Sequence, residues 1–167
     1  MAIHFANTEL SDCIGETWRV TSSFNGDVHP IVNWEVADQT GGGNNFSVCT
    51  ESNGVFSFNQ LGWYHIHWWM YISGNVDSPY NEMMLEYSWN NAANYATYQY
   101  AQTFLMSGTT RYSSAHAAHT FSVPGNSGSS ARKFRFKVNH QADSSVSTAG
   151  SSGTSHTGFT IVKIADI

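Results

Sequence analysis

His65 and His67 stand two residues apart in the run Gly62-Trp-Tyr-His-Ile-His-Trp-Trp-Met-Tyr-Ile72, so an extended backbone brings both imidazoles to one side. Imidazoles at this spacing can do three kinds of chemistry. They can ligate a transition metal, most readily if several chains pool their pairs so that three copies offer six rings to one ion. They can gain charge near pH 6 and repel one another. They can also act as flat, half-polar fillers, hydrogen-bonded to hydroxyl or backbone groups. A single His-x-His does not select among these, the structural role demands the fewest partners, and no cofactor is expected.

Other chemistry-bearing patterns are weaker. Glu82 and Glu86 share one face of a strand, but the spacing alone does not bring two carboxylates to a cleft as a glycosidase needs. No G-x-S-x-G elbow is present, and Gly41-Gly42-Gly43 lacks the lysine and the following helix of a phosphate loop. No enzymatic activity is expected. Lys133, Arg135 and Lys137 alternate with Phe134, Phe136 and Val138, which reads as a solvated stripe opposite a core face. The segment Gly74–Glu82 is rich in side-chain oxygens that could hold calcium, although it lacks the EF-hand pattern. Tyr95, Tyr98 and Tyr100 lie among asparagines, a combination suited to stacking on sugar rings or a protein partner, and they are the expected ligand-facing tyrosines.

The elements that must position these residues are strands. The 167 residues make one domain on length. Charged residues are 11 % and aromatic residues 14 %, which excludes disorder; four leucines exclude a long helical protein. A net charge of −5 with seven basic residues argues against nucleic acid, and no apolar run is long enough to span a bilayer. The start lacks the basic and apolar regions of a secretory signal, so synthesis in a cytosol without export is expected. Cys13 and Cys49 could form one bridge by arithmetic, but free thiols are expected. Short alternating runs separated by Gly/Asn/Ser clusters give about ten strands, with Ser144–Ser155 as a long exposed loop. The expected architecture is an all-β, two-sheet antiparallel jelly-roll sandwich over 17–167, preceded by an arm over 1–16 that anchors the chain or extends a strand.

The order of these strands carries a resemblance. Pro30-Ile-Val-Asn-Trp34, then Gly54-Val-Phe56-Ser-Phe58, then Gly62-Trp-Tyr64-His-Ile66, and near the end Ser155-His156-Thr157-Gly158-Phe159, are together similar to the motifs of tumour-necrosis-factor-like and complement globular-head jelly rolls. The resemblance spans about residues 18–167, with His156 replacing an aromatic residue and an unusual richness in Trp63, Trp68 and Trp69. It implies a core motif of Trp34, Phe56, Phe58, Gly62, Tyr64, Gly158 and Phe159.

Both faces of Gly62–Ile72 are aromatic: Tyr64, Ile66, Trp68 and Met70 on one, Trp63, His65, His67, Trp69 and Tyr71 on the other. One domain has a core for only one of them, so the second face must be covered by something else. In the resembled fold that face lies on the axis of a homotrimer, and alignment places His116 and His156 there beside Trp63, His65, His67 and Trp69. The expected function is a non-enzymatic trimeric module. On this reading it is a phage virion protein, a head-decoration, cement or fibre component bound to a capsid shell. The alternatives are a lectin-type module for a host-surface glycan, or a secreted complement-head-like ligand.

Overall fold

Trp68 shows why this chain folds as two layers. It sits in the middle of a 13-residue strand, is fully buried, and donates from Nε1 to the carbonyl of Met83 on the opposite sheet, 3.0 Å away. A computed structural model describes residues 14–37, 47–141 and 144–167. In chain order the strands are β1 (Gly15–Val20), β2 (Ser22–Asn25), β3 (Trp34–Val36), β4 (Cys49–Ser52), β5 (Val55–Phe58) and β6 (Gly62–Gly74). They continue with β7 (Ser78–Ser88), β8 (Ala96–Leu105), β9 (Arg111–Val123), β10 (Lys133–His140), β11 (Ser147–Ser151) and β12 (Gly158–Ala165). A single 3₁₀ turn at Gly128–Ser130 is the helical element among the described residues.

One sheet has seven strands. It runs β2-β11-β6-β12-β1-β3, and β9 closes the other side of β6 in register from Gly62↔Val123 to Gly74↔Arg111. The other sheet has five strands in the order β4-β5-β10-β7-β8, and every pairing in both sheets is antiparallel. This is the expected jelly-roll sandwich.

The core is an aromatic lattice. Phe56 stacks on Phe134 with centroids 4.8 Å apart and meets Phe159 edge-on at 4.9 Å, while Trp34 caps Phe56, Phe136 and Phe159. Phe58 packs on Tyr64 and Phe121 at the other end. Quadrupolar rings favour these edge-to-face and offset contacts, so the motif residues interlock the sheets rather than merely filling volume. Gly158 is required by closeness: an added Cβ would lie 2.3 Å from the carbonyl oxygen of Trp18. Gly54 needs its glycine twice over, with φ at +79° and an added Cβ 2.4 Å from the Ile31 carbonyl oxygen.

Several expectations are corrected. Ser144–Ser155 is not simply an exposed loop: β11 runs through it, paired with β2 and β6, and Val146 and Thr148 are fully buried. Its small side chains, Ser-Thr-Ala-Gly-Ser, hide the strand pattern. The oxygen-rich stretch Gly74–Glu82 is half strand, since β7 begins at Ser78, and β9 starts at Arg111 rather than Ala115. Gly15 and Glu16, expected in the arm, already belong to β1. Cys49 is a buried free thiol; Cys13, the rest of the arm and Gly41–Gly43 lie outside the described residues.

Candidate functional site

Strict alternation along β6 sorts its side chains. Tyr64, Ile66, Trp68, Met70 and Ile72 are fully buried between the sheets, whereas Trp63, His65, His67, Trp69 and Tyr71 point away from the core. The antiparallel register extends this outward row across both neighbours. β9 sets His116 opposite Trp69, Thr120 opposite His65 and Tyr112 opposite Ser73; β12 sets Thr160 opposite His67.

The row is organised by ring contacts. The imidazoles of His67 and His116 are 5.7 Å apart between centroids and 4° from parallel, and Trp69 lies 5.7 Å from His67. Trp69 is oriented by its Nε1, which donates to the Ser155 carbonyl. Tyr71 is sandwiched between Tyr112 and His156, at 5.8 and 5.7 Å. His65 is within 2.9 Å of Thr120 Oγ1 through its Nδ1. Burial by its neighbours lowers the His67 imidazole below its ordinary range, and the like charges that His116 and His65 could carry lower it further.

The six residues expected on the outward surface are therefore brought onto one face, Trp63 with 45 % of its surface open. Tyr112, 65 % exposed, joins them; it lies three residues ahead of the strand expected from Ala115 and so outside the expected face. Its signal was the alternation Tyr112-Ser-Ser-Ala-His116, which continues β9 at the same parity.

Parallel stacking keeps the His67 and His116 rings side by side rather than converging on a point, and no group of three or more His, Cys, Asp or Glu is gathered for an ion among the described residues. The calcium oxygens of the β6–β7 connection are engaged elsewhere. Asp77 accepts from the Ser107 amide, and Asn81 exchanges hydrogen bonds with Ser78, Thr103 and His140.

The three tyrosines expected to face a ligand do not share a surface. Tyr95 lies beneath the Arg135 guanidinium, 3.8 Å from its ring centroid, with its hydroxyl buried. Tyr98 packs at the edge of the sandwich on Tyr87, Trp89 and His119. Tyr100, 53 % exposed, is the most open. Arg135 in turn is bonded to Glu86 at 2.6 Å, and His29 reaches the same carboxylate oxygen at 2.8 Å. Burial would raise the Glu86 carboxyl, but the Arg135 and His29 hydrogen bonds and charges outweigh it and hold the group below the usual carboxylate range. Glu86 is thus a fixed anion rather than a proton donor, and its pairing with Glu82 as acid and base has no geometric support. An open cleft of about 340 Å³ at the β8–β9 tip is lined by Phe104, Met106, Arg111 and Tyr112, without a carboxylate or imidazole.

Eiger TNF from S. frugiperda superposes with a TM-score of 0.66 at 15 % identity, over 93 % of this chain and 95 % of that one. Murine APRIL at pH 5.0 gives 0.63 at 12 % identity, over 92 % of this chain and all of that one. The fold is a tumour-necrosis-factor-like jelly roll. Murine APRIL at pH 8.5 agrees, with a TM-score of 0.56. No protein-family model and no curated protein sequence matches the chain. The likeness lies in the fold.

Proposed function

We propose that the chain is a non-enzymatic interaction module that assembles as a homotrimer through the outward face of β6. The observation that carries this reading is the row Trp63, His65, His67, Trp69 and Tyr71, which lies outside a sandwich already filled by its own core. Trp and Tyr gathered on one partly open face, Trp63 exposed and Trp69 and Tyr71 half-buried, are side chains that anchor protein interfaces.

A second surface supports a ring of copies. The edge strand β8 exposes Tyr98 and Phe104, at 38 and 61 %, flanked by Met106 just past its end and by Trp89, which follows β7 and packs on Tyr98. Two different aromatic patches on one chain suit a head-to-tail contact, in which the edge of one copy meets the β6 face of the next. Such contacts stay finite only if the rotation closes, and a three-fold ring is the closure the fold suggests.

The setting we favour is a phage particle, with the trimer on a capsid shell as a decoration, cement or fibre component. What supports it is the weakly charged, Ser/Thr/Asn-rich composition, which leaves an uncharged polar exterior once the aromatic surfaces are paired. Replacing both Trp63 and Trp69 by serine tests the assembly. The variant should keep its folded circular-dichroism spectrum and sediment as single chains; a variant that still sediments with the wild-type mass overturns the interface. Intact particles purified by density should carry the wild-type chain and lack the variant, and a wild-type chain absent from particles would remove the virion setting.

A further inference from the structure

Resting on the trimeric reading above, we propose that the stacked His67–His116 pair makes the assembly acid-labile, holding the chains together at neutral pH and releasing them as the pH falls through about 6. Every element packed around the pair contributes an aromatic, imidazole or uncharged neighbour. On β6 it is flanked by His65 and Trp69, and on β9 His116 itself supplies the facing ring. From β12 the neighbour is the uncharged Thr160, hydrogen-bonded to Thr17 of β1, and ahead of β12 stands His156, stacked on Tyr71. Farther across the sheet is Arg19 of β1, which donates to Glu35 of β3 at 2.7 Å. Among the described residues of this face, Glu35 is the carboxylate, and it is three strands from β6 and already paired.

Four imidazoles therefore share one face, and among its described residues no unpaired carboxylate balances them. While neutral, the rings stack as flat aromatic surface, and the face can be dried by a neighbouring copy. Once protonated, His67 and His116 put two like charges 5.7 Å apart between centroids. In an isolated chain those charges are hydrated. In a closed interface they are desolvated beneath the neighbouring copy. Separated chains thus bind more protons than assembled ones, and by linkage acid drives dissociation. The lowered His67 imidazole already shows the cost of charging this position in one chain.

The test is sedimentation of the full chain at about pH 8, 6.5, 5.5 and 5, with circular dichroism at each. The wild type should pass from three chains to one while its folded spectrum persists, its dissociation constant rising at least about tenfold per pH unit below 6.5. The variant carrying His67→Gln and His116→Gln should remain assembled at pH 5. If that variant does not assemble at pH 8, His116→Gln alone should move the transition to lower pH. A wild type still trimeric at pH 5, a glutamine variant that dissociates like the wild type, or a loss of mass that accompanies unfolding overturns the switch and leaves the trimer standing. A wild type already monomeric at pH 8 overturns both.

Discussion

His140 Nε2 lies 2.9 Å from Thr148 Oγ1, and the same ring reaches Asn81 Oδ1 at 2.9 Å through Nδ1. One buried imidazole thereby ties β10 and β7 of the five-stranded sheet to β11 of the seven-stranded sheet. Burial lowers this imidazole from about 6.5 to about 4, with the Asp27 charge opposing the shift in part.

Acid should therefore weaken the fold through His140. Between about pH 6.5 and 4 the unfolded chain takes up a proton that the folded chain refuses, so stability is full above this window and declines as the pH falls through it. The loss is on the order of 3 kcal/mol, readable as a falling urea midpoint. His140→Leu should cost about 2 kcal/mol at pH 7.5, where it strips partners from Asn81 and Thr148, and should flatten the decline. An unchanged slope in that variant would show that another group is responsible.

The Arg135–Glu86–His29 cluster gives a separate acid limb. Because the Glu86 carboxyl is held low, its contribution is present above the ordinary carboxylate pKa and is lost as the pH falls below about 4.5. Glu86→Gln should lower stability by about 1–2 kcal/mol at neutral pH, with less loss below pH 4. Thermal melts at both values check it, and an equal loss at pH 3 and pH 7 would contradict it.

Gly158→Ala should be among the most damaging single substitutions. An added methyl would collide with the Trp18 carbonyl across the β1–β12 ladder, and the ladder cannot open without moving Trp18 off Phe56. A loss of about 3 kcal/mol or more is expected, against less than 1 for Gly153→Ala, whose added atom meets only the Ser151 hydroxyl. Comparable melting temperatures for the two would refute this account of the close approach.

Chelation should leave the protein unchanged. Exhaustive treatment with EDTA is expected to alter neither its mass in solution nor its melting temperature, as the parallel His67 and His116 rings imply. A fall in mass restored by zinc or nickel would revive a pooled-imidazole metal site.

The alternation of Gly62–Ile72 was legible in the sequence because bulky residues occupy both parities, so the strand, its core face and its surplus face could all be read from residue type. Gly158-Phe159 and Phe56-Ser-Phe58 were legible for a similar reason, a glycine or an aromatic at a position that tolerates little else. β11 was not, because its Ser, Ala and Gly residues have no amphipathic signature and are placed by the partners they meet, β2 and β6. The three tyrosines were misleading as a group. A shift in the β7–β8 register between Leu85 and Glu86 sends Tyr98 to the sandwich edge, and Arg135 covers Tyr95. Pairing register and long-range ion pairs are properties of the folded sheet, and single-strand periodicity does not encode them.

Whether the β6 face joins three chains is decided by the mass of the wild-type protein in solution. By sedimentation equilibrium at pH 8 and micromolar concentration, one species at three times the 18.4 kDa chain mass is expected. A single species at 18.4 kDa, with the sandwich folded and the Trp63 face uncovered, would exclude the trimer.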